Sequence, residues 1–275
     1  MSPVQRMRTF PRARASLIGA ALLAVLWISS FALSHWLGPL ERHCPLGRDL
    51  LRPDQTVCEL AFGGLWVSLS LGVAAGALST ILGLLLAVAA RSAGRAVDRW
   101  SMRLADAFFS LPDVLVLMVV QFAGQTLSDL DPRFRVSPPL LMVLSLAIVG
   151  WSGPARMLRN RLETLEQEDF VRAAKALGAG RLHLIRRHLW PGLREYTGAI
   201  FLSRVPAAVL AESTVSFFGI ARMEPMSLGR YLGTSYSSLL YPSGARIVLP
   251  AWGMLVVLVL AASLAGRQVQ WPRRG

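Results

Sequence analysis

Ionisable and nucleophilic side chains are scarce in this 275-residue chain, and their spacing excludes most chemistry. Lys175 is the only lysine. It sits in RAAKALG, which does not fit the G-x-x-x-x-G-K-[ST] phosphate loop, so the chain cannot hydrolyse ATP by that route. The two cysteines, Cys44 and Cys58, and the four histidines, His35, His43, His183 and His188, form neither C-x-x-C nor H-E-x-x-H, the spacings of common zinc sites. His183 and His188 are five positions apart and do not share a helical face. Glu163, Glu166, Glu168 and Asp169 form the one acidic run, placed where a helix start would favour it. Arg204 and Glu212 remain, a cation and an anion within one apolar run. Eight positions at about 100° each leave them about 80° apart around a helix, poor for mutual pairing. Ionisable groups inside a span are costly and face a cavity or a partner. A hydrogen-bonded contact inside the bundle, a part in solute passage, and snorkelling to a membrane edge stay open for this pair. Ser216 and Phe217, a turn beyond Glu212, join them as candidate pathway or gate residues. Asp106 reads as a membrane-edge residue and Asp113 as a polar packing residue.

The elements that must position these groups are apolar. The chain is 53% hydrophobic and only 16% charged, against about 25% charged for a soluble domain. Its mean hydropathy is +0.47. Disordered, collagen-like and coiled-coil classes are excluded. Six long apolar runs predict an all-α, polytopic membrane protein with six transmembrane helices. They cover 17–37, about 65–90, about 104–123 (interrupted by Pro112), about 140–151, about 196–220 and about 247–265. The first follows Arg6, Arg8, Arg12 and Arg14, and FALS near Ser34 weakly resembles a signal-peptidase site. The run is longer than a usual signal core of about 7–15 residues, which favours a retained helix.

Arginine placement orients the spans. With the N-terminus cytoplasmic, segments 1–16, 91–103, 156–194 and 267–275 hold 20 basic residues and the outer segments hold 8. Both termini are therefore expected inside. The same distribution accounts for the net charge of +13 at membrane edges, without a nucleic-acid surface. The organisation expected is 1–62 as tail, first helix and outer loop, 63–266 as a five-helix core, and 267–275 as a second tail. Cys44 and Cys58 share the outer loop, where a disulfide and two separate thiols are both open readings.

Segment 156–194 is the longest polar stretch. Leu162, Leu165, Phe170, Ala173, Ala174 and Leu177 predict one roughly helical apolar stripe from 162 to 177. Gly178 follows at a helix C-cap position. Leu182, Ile185 and Leu189 continue a second stripe that Pro191 is expected to stop. Docking to a soluble partner and packing on the chain's own bundle fit these stripes equally.

The stretch DFVRAAKALGAGRLHLIRRHLWP resembles the EAA loop of bacterial ABC-importer permeases. Ala173 and Ala174 match its two alanines, Gly178 its glycine and Pro191 its closing proline. Arg172 stands where that family often has glutamate. RHCPLGRDLLR, DAFFSLPDVLVLMVV, GWSGPARMLRNRLETL and AESTVSFFGIARMEPMSLGRYL resemble, in order, further segments of the peptide and nickel permeases. The resemblance implies the type I importer permease fold in a bacterial inner membrane. It implies a second, different permease subunit, two ATPase subunits and a periplasmic or lipid-anchored solute-binding protein. ATP and Mg would be used by those ATPases, with no cofactor on this chain. Ala173, Ala174, Gly178, Leu182, Ile185 and Pro191 would couple ATP hydrolysis to transport. Di- or oligopeptides are the first solute class implied and nickel or another metal chelate the second, with peptide export by the same design also open. A membrane enzyme and a stand-alone secondary transporter are the rival classes. The chain shows neither the acidic metal cluster of the one nor the internal repeat of the other.

Overall fold

The computed structural model describes residues 56–266 apart from 179, 223 and 243, with a few positions between 21 and 46. Among the described residues every regular element is helical. Four helices are long and apolar enough to cross a membrane, or five if one bent pair is a single span. The expected first span lies mostly outside the described residues. Its described positions between 21 and 32 are helical, and Trp27 stacks on Trp66 at 4.8 Å.

Helix α1 (Val57–Ala93) opens on a reciprocal cap. The Thr56 hydroxyl accepts from the Glu59 amide, and the Glu59 carboxylate accepts from the Thr56 amide at 3.0 Å, satisfying donors a helix start leaves unpaired. Cys58, buried in this first turn, is disulfide-bonded; Cys44 lies outside the described residues. Helix α2 (Arg95–Ser110) and helix α3 (Asp113–Leu130) are separate. The run over 104–123 is interrupted at Pro112, where the sequence placed the interruption, and is shared between these two helices. Leu111 is extended, as a residue before proline prefers, and Pro112 cannot supply the amide a continuous helix needs. Only α3 qualifies as a span.

Helix α4 (Pro138–Gly150) meets helix α5 (Ser152–Glu166) at a bend of 46°. Pro154 lacks the amide that would reach back to Gly150, so the ladder breaks where the bend falls. The fourth run therefore continues as a helix well beyond 151. Helix α6 (Asp169–Ala176) follows a break at Gln167 and Glu168, so the single stripe expected from 162 to 177 is carried by two helices. Helix α7 (Arg181–Leu184) passes through a π-helical turn (Ile185–Leu189) into helix α8 (Trp190–Phe217). Pro191 does not stop this helix. It occupies the first turn of α8, and the preceding π turn carries the helical path past it. Helix α9 (Leu228–Ser235) and helix α10 (Gly244–Gly266) complete the order.

Helices α1 and α8 form the central pair. The N-terminal half of α1 and the C-terminal half of α8 pack with α9 and α10 around Leu65, Leu69, Val209, Tyr231 and Leu258. On another side α3 and α4 close over Leu71, Leu117, Met142 and Leu146. A third cluster joins α5, α6, the π turn and the start of α8 through Leu158, Leu162, Val171, Leu184 and Leu193. Burial at these spots has to come from side-chain fit, since lipid is as apolar as the helices.

Candidate functional site

The residues of the 156–194 segment that carry the predicted stripes fold into helix, glycine turn and helix. Val171 is fully buried and Ala174 partly buried, and both pack α6 on the third cluster. Phe170, Ala173 and Leu177 point outward; Leu177 is 89% exposed. The structure thus splits the predicted stripe: Leu162 and Leu165 are core, while Phe170, Ala173 and Leu177 form a face at i, i+3 and i+7. Gly178 has φ +84° and nothing within 4 Å of where a Cβ would stand. Its requirement is the left-handed turn itself, and only glycine takes that turn without strain. Leu189 is buried and Ile185 partly buried against the same cluster, while Pro191 is exposed. Leu182 lies in α7 and its side chain is outside the described set. Packing and outward presentation, left open by the sequence, are both realised on opposite faces.

An ion network holds the base of this element, and sequence reasoning missed it. Arg91 of α1 bonds Asp98 of α2 at 3.2 Å and Glu166 of α5 at 2.8 Å. Arg159 of α5 bonds the same Asp98 at 2.9 Å and Glu163 at 2.7 Å. Asp98 is only 3% exposed. The hydrogen bond from Arg159 leads in holding its carboxyl below the usual aspartate range, with the field of Arg91 adding to it against the effect of burial. Glu163 and Glu166 therefore end α5 in ion pairs rather than start a helix. Sequence spacing carried no sign of this, because 91, 98 and 159 belong to three elements.

Inside the bundle, Glu212 is fully buried. Ser68 of α1 donates to one carboxylate oxygen at 3.1 Å, and Ser216 donates to the other at 2.7 Å. Ser213 donates at 3.3 Å. Ser68 in turn accepts the Leu228 amide at the start of α9, at 3.1 Å. One carboxylate thereby ties α8 to α1 and, through Ser68, to α9. This is the hydrogen-bonded packing contact that was one of the open readings. Ser216 belongs to it. Phe217, 37% exposed, sits apart at the helix end beside Phe218 and Tyr236. Arg204, two turns earlier, lies elsewhere on the helix, against Gly150 and Ser79: a Cβ on Gly150 would stand 2.5 Å from Arg204 Nη2. Arg204 and Glu212 are thus not brought together, as their angular separation predicted. At the far end of α3 a cavity of about 620 Å³ opens between Gln125, Asp129, Arg135, Ser137 and Arg222, with Asp129 and Arg222 bonded at 3.0 Å.

The described residues form a helical bundle with four or five candidate membrane spans and a glycine-turned segment packed at one end of the central pair, the architecture of a polytopic membrane protein. Residues 79–271 match the family described as binding-protein-dependent transport system inner membrane component, and the chain belongs to that family. It is similar to the dipeptide transport system permease protein DppC of Bacillus subtilis, 28% identical over 223 residues. That match covers 79% of this chain and 62% of the relative. The oligopeptide transport system permease protein OppC of Haemophilus influenzae is 28% identical over 75% of this chain and 58% of its own length. The OppC protein of Mycobacterium bovis is 28% identical over 94% of this chain and 90% of its own length. The chain thus spans about three fifths of the length of the first two relatives.

Proposed function

We propose that this chain is a permease subunit of an ATP-driven importer of di- or oligopeptides in a bacterial inner membrane. The observation that carries the reading is the coincidence of two features. The family match spans the bundle, and within it the 169–191 segment folds as helix, left-handed glycine turn and helix, with one face packed and the other outward. The relatives whose printed names specify dipeptide and oligopeptide transport support peptides over nickel.

In this reading both termini and the coupling segment face the cytoplasm, as the 20-to-8 distribution of basic residues supports. Two ATPase subunits bind ATP and Mg, and each coupling segment seats its outward face, Ala173 and Leu177 included, on one of them. A second, non-identical permease completes the pathway, and a periplasmic or lipid-anchored binding protein delivers the peptide. This chain performs no chemistry. It converts the approach of the ATPases into a helix movement through α6, the Gly178 turn and α8. Ala173, Ala174, Gly178, Leu182, Ile185 and Pro191 serve that coupling. The test is a pull-down of the tagged chain from native membranes in mild detergent, with mass spectrometry of what stays bound. Two P-loop ATPases and a second permease are expected. Recovery of the chain alone at high yield would overturn the proposal in favour of a stand-alone transporter.

A further inference from the structure

The cavity at the far end of α3 has features that chain packing alone does not call for. Its volume of about 620 Å³ falls in the range of small-molecule sites, about 300–1,000 Å³. Gln121, Gln125 and Ser128 recur at i, i+4 and i+7, so they line it from one face of α3. Each of them also ties a neighbouring piece of the wall in place. Gln121 donates its side-chain amide to Ser145 of α4 at 3.2 Å. Gln125 donates to the Ile220 carbonyl at 2.7 Å, fixing the segment after α8 that supplies Arg222. Ser128 donates to the Phe134 carbonyl at 3.1 Å, fixing the turn that supplies Arg135. The cavity is therefore preformed. Polar groups inside it are left unmatched. Gln121 is only 2% exposed, yet no donor among the described residues reaches its carbonyl oxygen. A buried acceptor without a donor costs free energy that a ligand N–H would recover. Arg135 is exposed and has no ion pair among the described residues. Arg222 holds Asp129 through Nη1 alone, at 3.3 and 3.0 Å, leaving the rest of its guanidinium open. The lining thus carries one more cation than anion.

We propose that this cavity binds a short peptide by its free C-terminal carboxylate. This rests on the peptide-importer reading above and gives that reading a solute site on this chain. The carboxylate takes the open donors of Arg135 and Arg222, since a guanidinium fork fits two carboxylate oxygens. A peptide N–H fills the empty acceptor of Gln121. Val136 and Leu141 offer an apolar wall to a side chain. Recognition then falls on groups that every peptide shares, which suits a site passing peptides of varied sequence. In the orientation that the basic residues support, segments 128–138 and 221–246 face away from the coupling segment, on the side where a solute arrives. The same donors would also accept a lipid phosphate, and the test separates the two.

The test uses the assembled transporter, without its binding protein, in phosphatidylcholine nanodiscs, with dialanine as the probe and saturation-transfer NMR as the readout of contact. A dialanine methyl signal is expected on wild type. It should fall about tenfold or more for Arg135→Gln, the scale of losing a charged hydrogen-bond partner. Dialanine amide, which lacks the carboxylate, should show the same loss on wild type. Arg135 is exposed, so Arg135→Gln is expected to assemble, as size-exclusion chromatography would report. Equal signals from dialanine and its amide, or from wild type and Arg135→Gln, would overturn the proposal. So would loss of the dialanine signal once phosphatidylglycerol is added to the nanodiscs, which would assign the cavity to a lipid phosphate. If wild-type proteoliposomes with binding protein and ATP accumulate no dialanine, the peptide-importer reading itself falls. Accumulation of dialanine with no binding signal removes only the carboxylate site.

Discussion

Gly83 offers the cleanest test of the packing that positions the coupling segment. It lies where α1 crosses the start of α5, and a Cβ there would stand 2.6 Å from Pro154 Cβ and 2.7 Å from the Ala155 amide nitrogen. Ordinary contact begins near 3.4 Å, so Gly83→Ala forces the two helices apart by roughly 0.7–0.8 Å against main chain that cannot rotate away. Overpacking of this kind costs about 1–3 kcal/mol. Removing a glycine from a helix returns about 0.5–1 kcal/mol, which blurs the effect if Gly83→Ala is compared with wild type alone. Gly63, on the same helix, has nothing within 4 Å of where a Cβ would stand, so Gly63→Ala carries the propensity gain without the collision. The difference between the two variants isolates the collision at about 1–3 kcal/mol. At about 2–4 °C per kcal/mol, Gly83→Ala should melt roughly 2–12 °C below Gly63→Ala. Tryptophan-fluorescence melting in one detergent gives that difference directly. Equal melting temperatures would refute the close α1–α5 crossing and with it the placement of α5 and the turn beyond.

Three further outcomes are expected. Gly178→Leu puts a branched side chain at φ +84°, costs about 1–2 kcal/mol locally, and should leave expression intact while uncoupling ATP hydrolysis from uptake; undiminished transport per ATP would refute the coupling role. Asp98→Asn removes the negative charge and one of the two acceptor oxygens that Arg91 and Arg159 share and should destabilise by about 1.5–3 kcal/mol. Since the folded carboxyl titrates below its ordinary 3.8, that contribution is complete above about pH 5 and is lost as pH falls through the lower folded value. The stability gap to wild type should therefore stay flat from about pH 8 to 5 and narrow in acid, as denaturation at stepped pH would record. Glu212→Leu strands the hydroxyls of Ser68 and Ser216 at about 1–3 kcal/mol each, whereas Glu212→Gln keeps one acceptor oxygen; a smaller loss for leucine than for glutamine in thermal denaturation would contradict the serine cage.

Apolar length carried the spans into view, because burial in lipid is written in composition over about 20 residues. The second, fifth and sixth runs correspond to α1, α8 and α10 with only their ends shifted. The glycine turn at Gly178 was legible for a similar reason: a left-handed residue after a helix selects glycine locally. Where two local signals competed, sequence reading chose wrongly. Pro191 reads as a stop, yet proline in a first turn is tolerated, and the π turn before it passed unnoticed because no residue type marks one. Leu162 to Leu177 reads as one stripe, because periodicity does not register the break at Gln167. The Arg91–Asp98–Arg159 network and the Ser68–Glu212 bond join residues 61 and 144 positions apart. Only the packing of α1 against α5 and α8 brings them together.

The continuous helical path from Arg181 to Phe217 makes α7, the π turn and α8 together a connecting rod about 55 Å long at 1.5 Å per residue. Its N-terminal end follows the glycine turn, and its C-terminal half is pinned to α1 at Glu212. Between them lies Pro206, which cannot donate to the carbonyl four residues back. A rod driven at one end, clamped near the other and weakened in the middle flexes at the weak point. A displacement of the glycine turn would therefore become a change of angle two residues from Arg204, while the half of α8 held at Glu212 stays clamped in place.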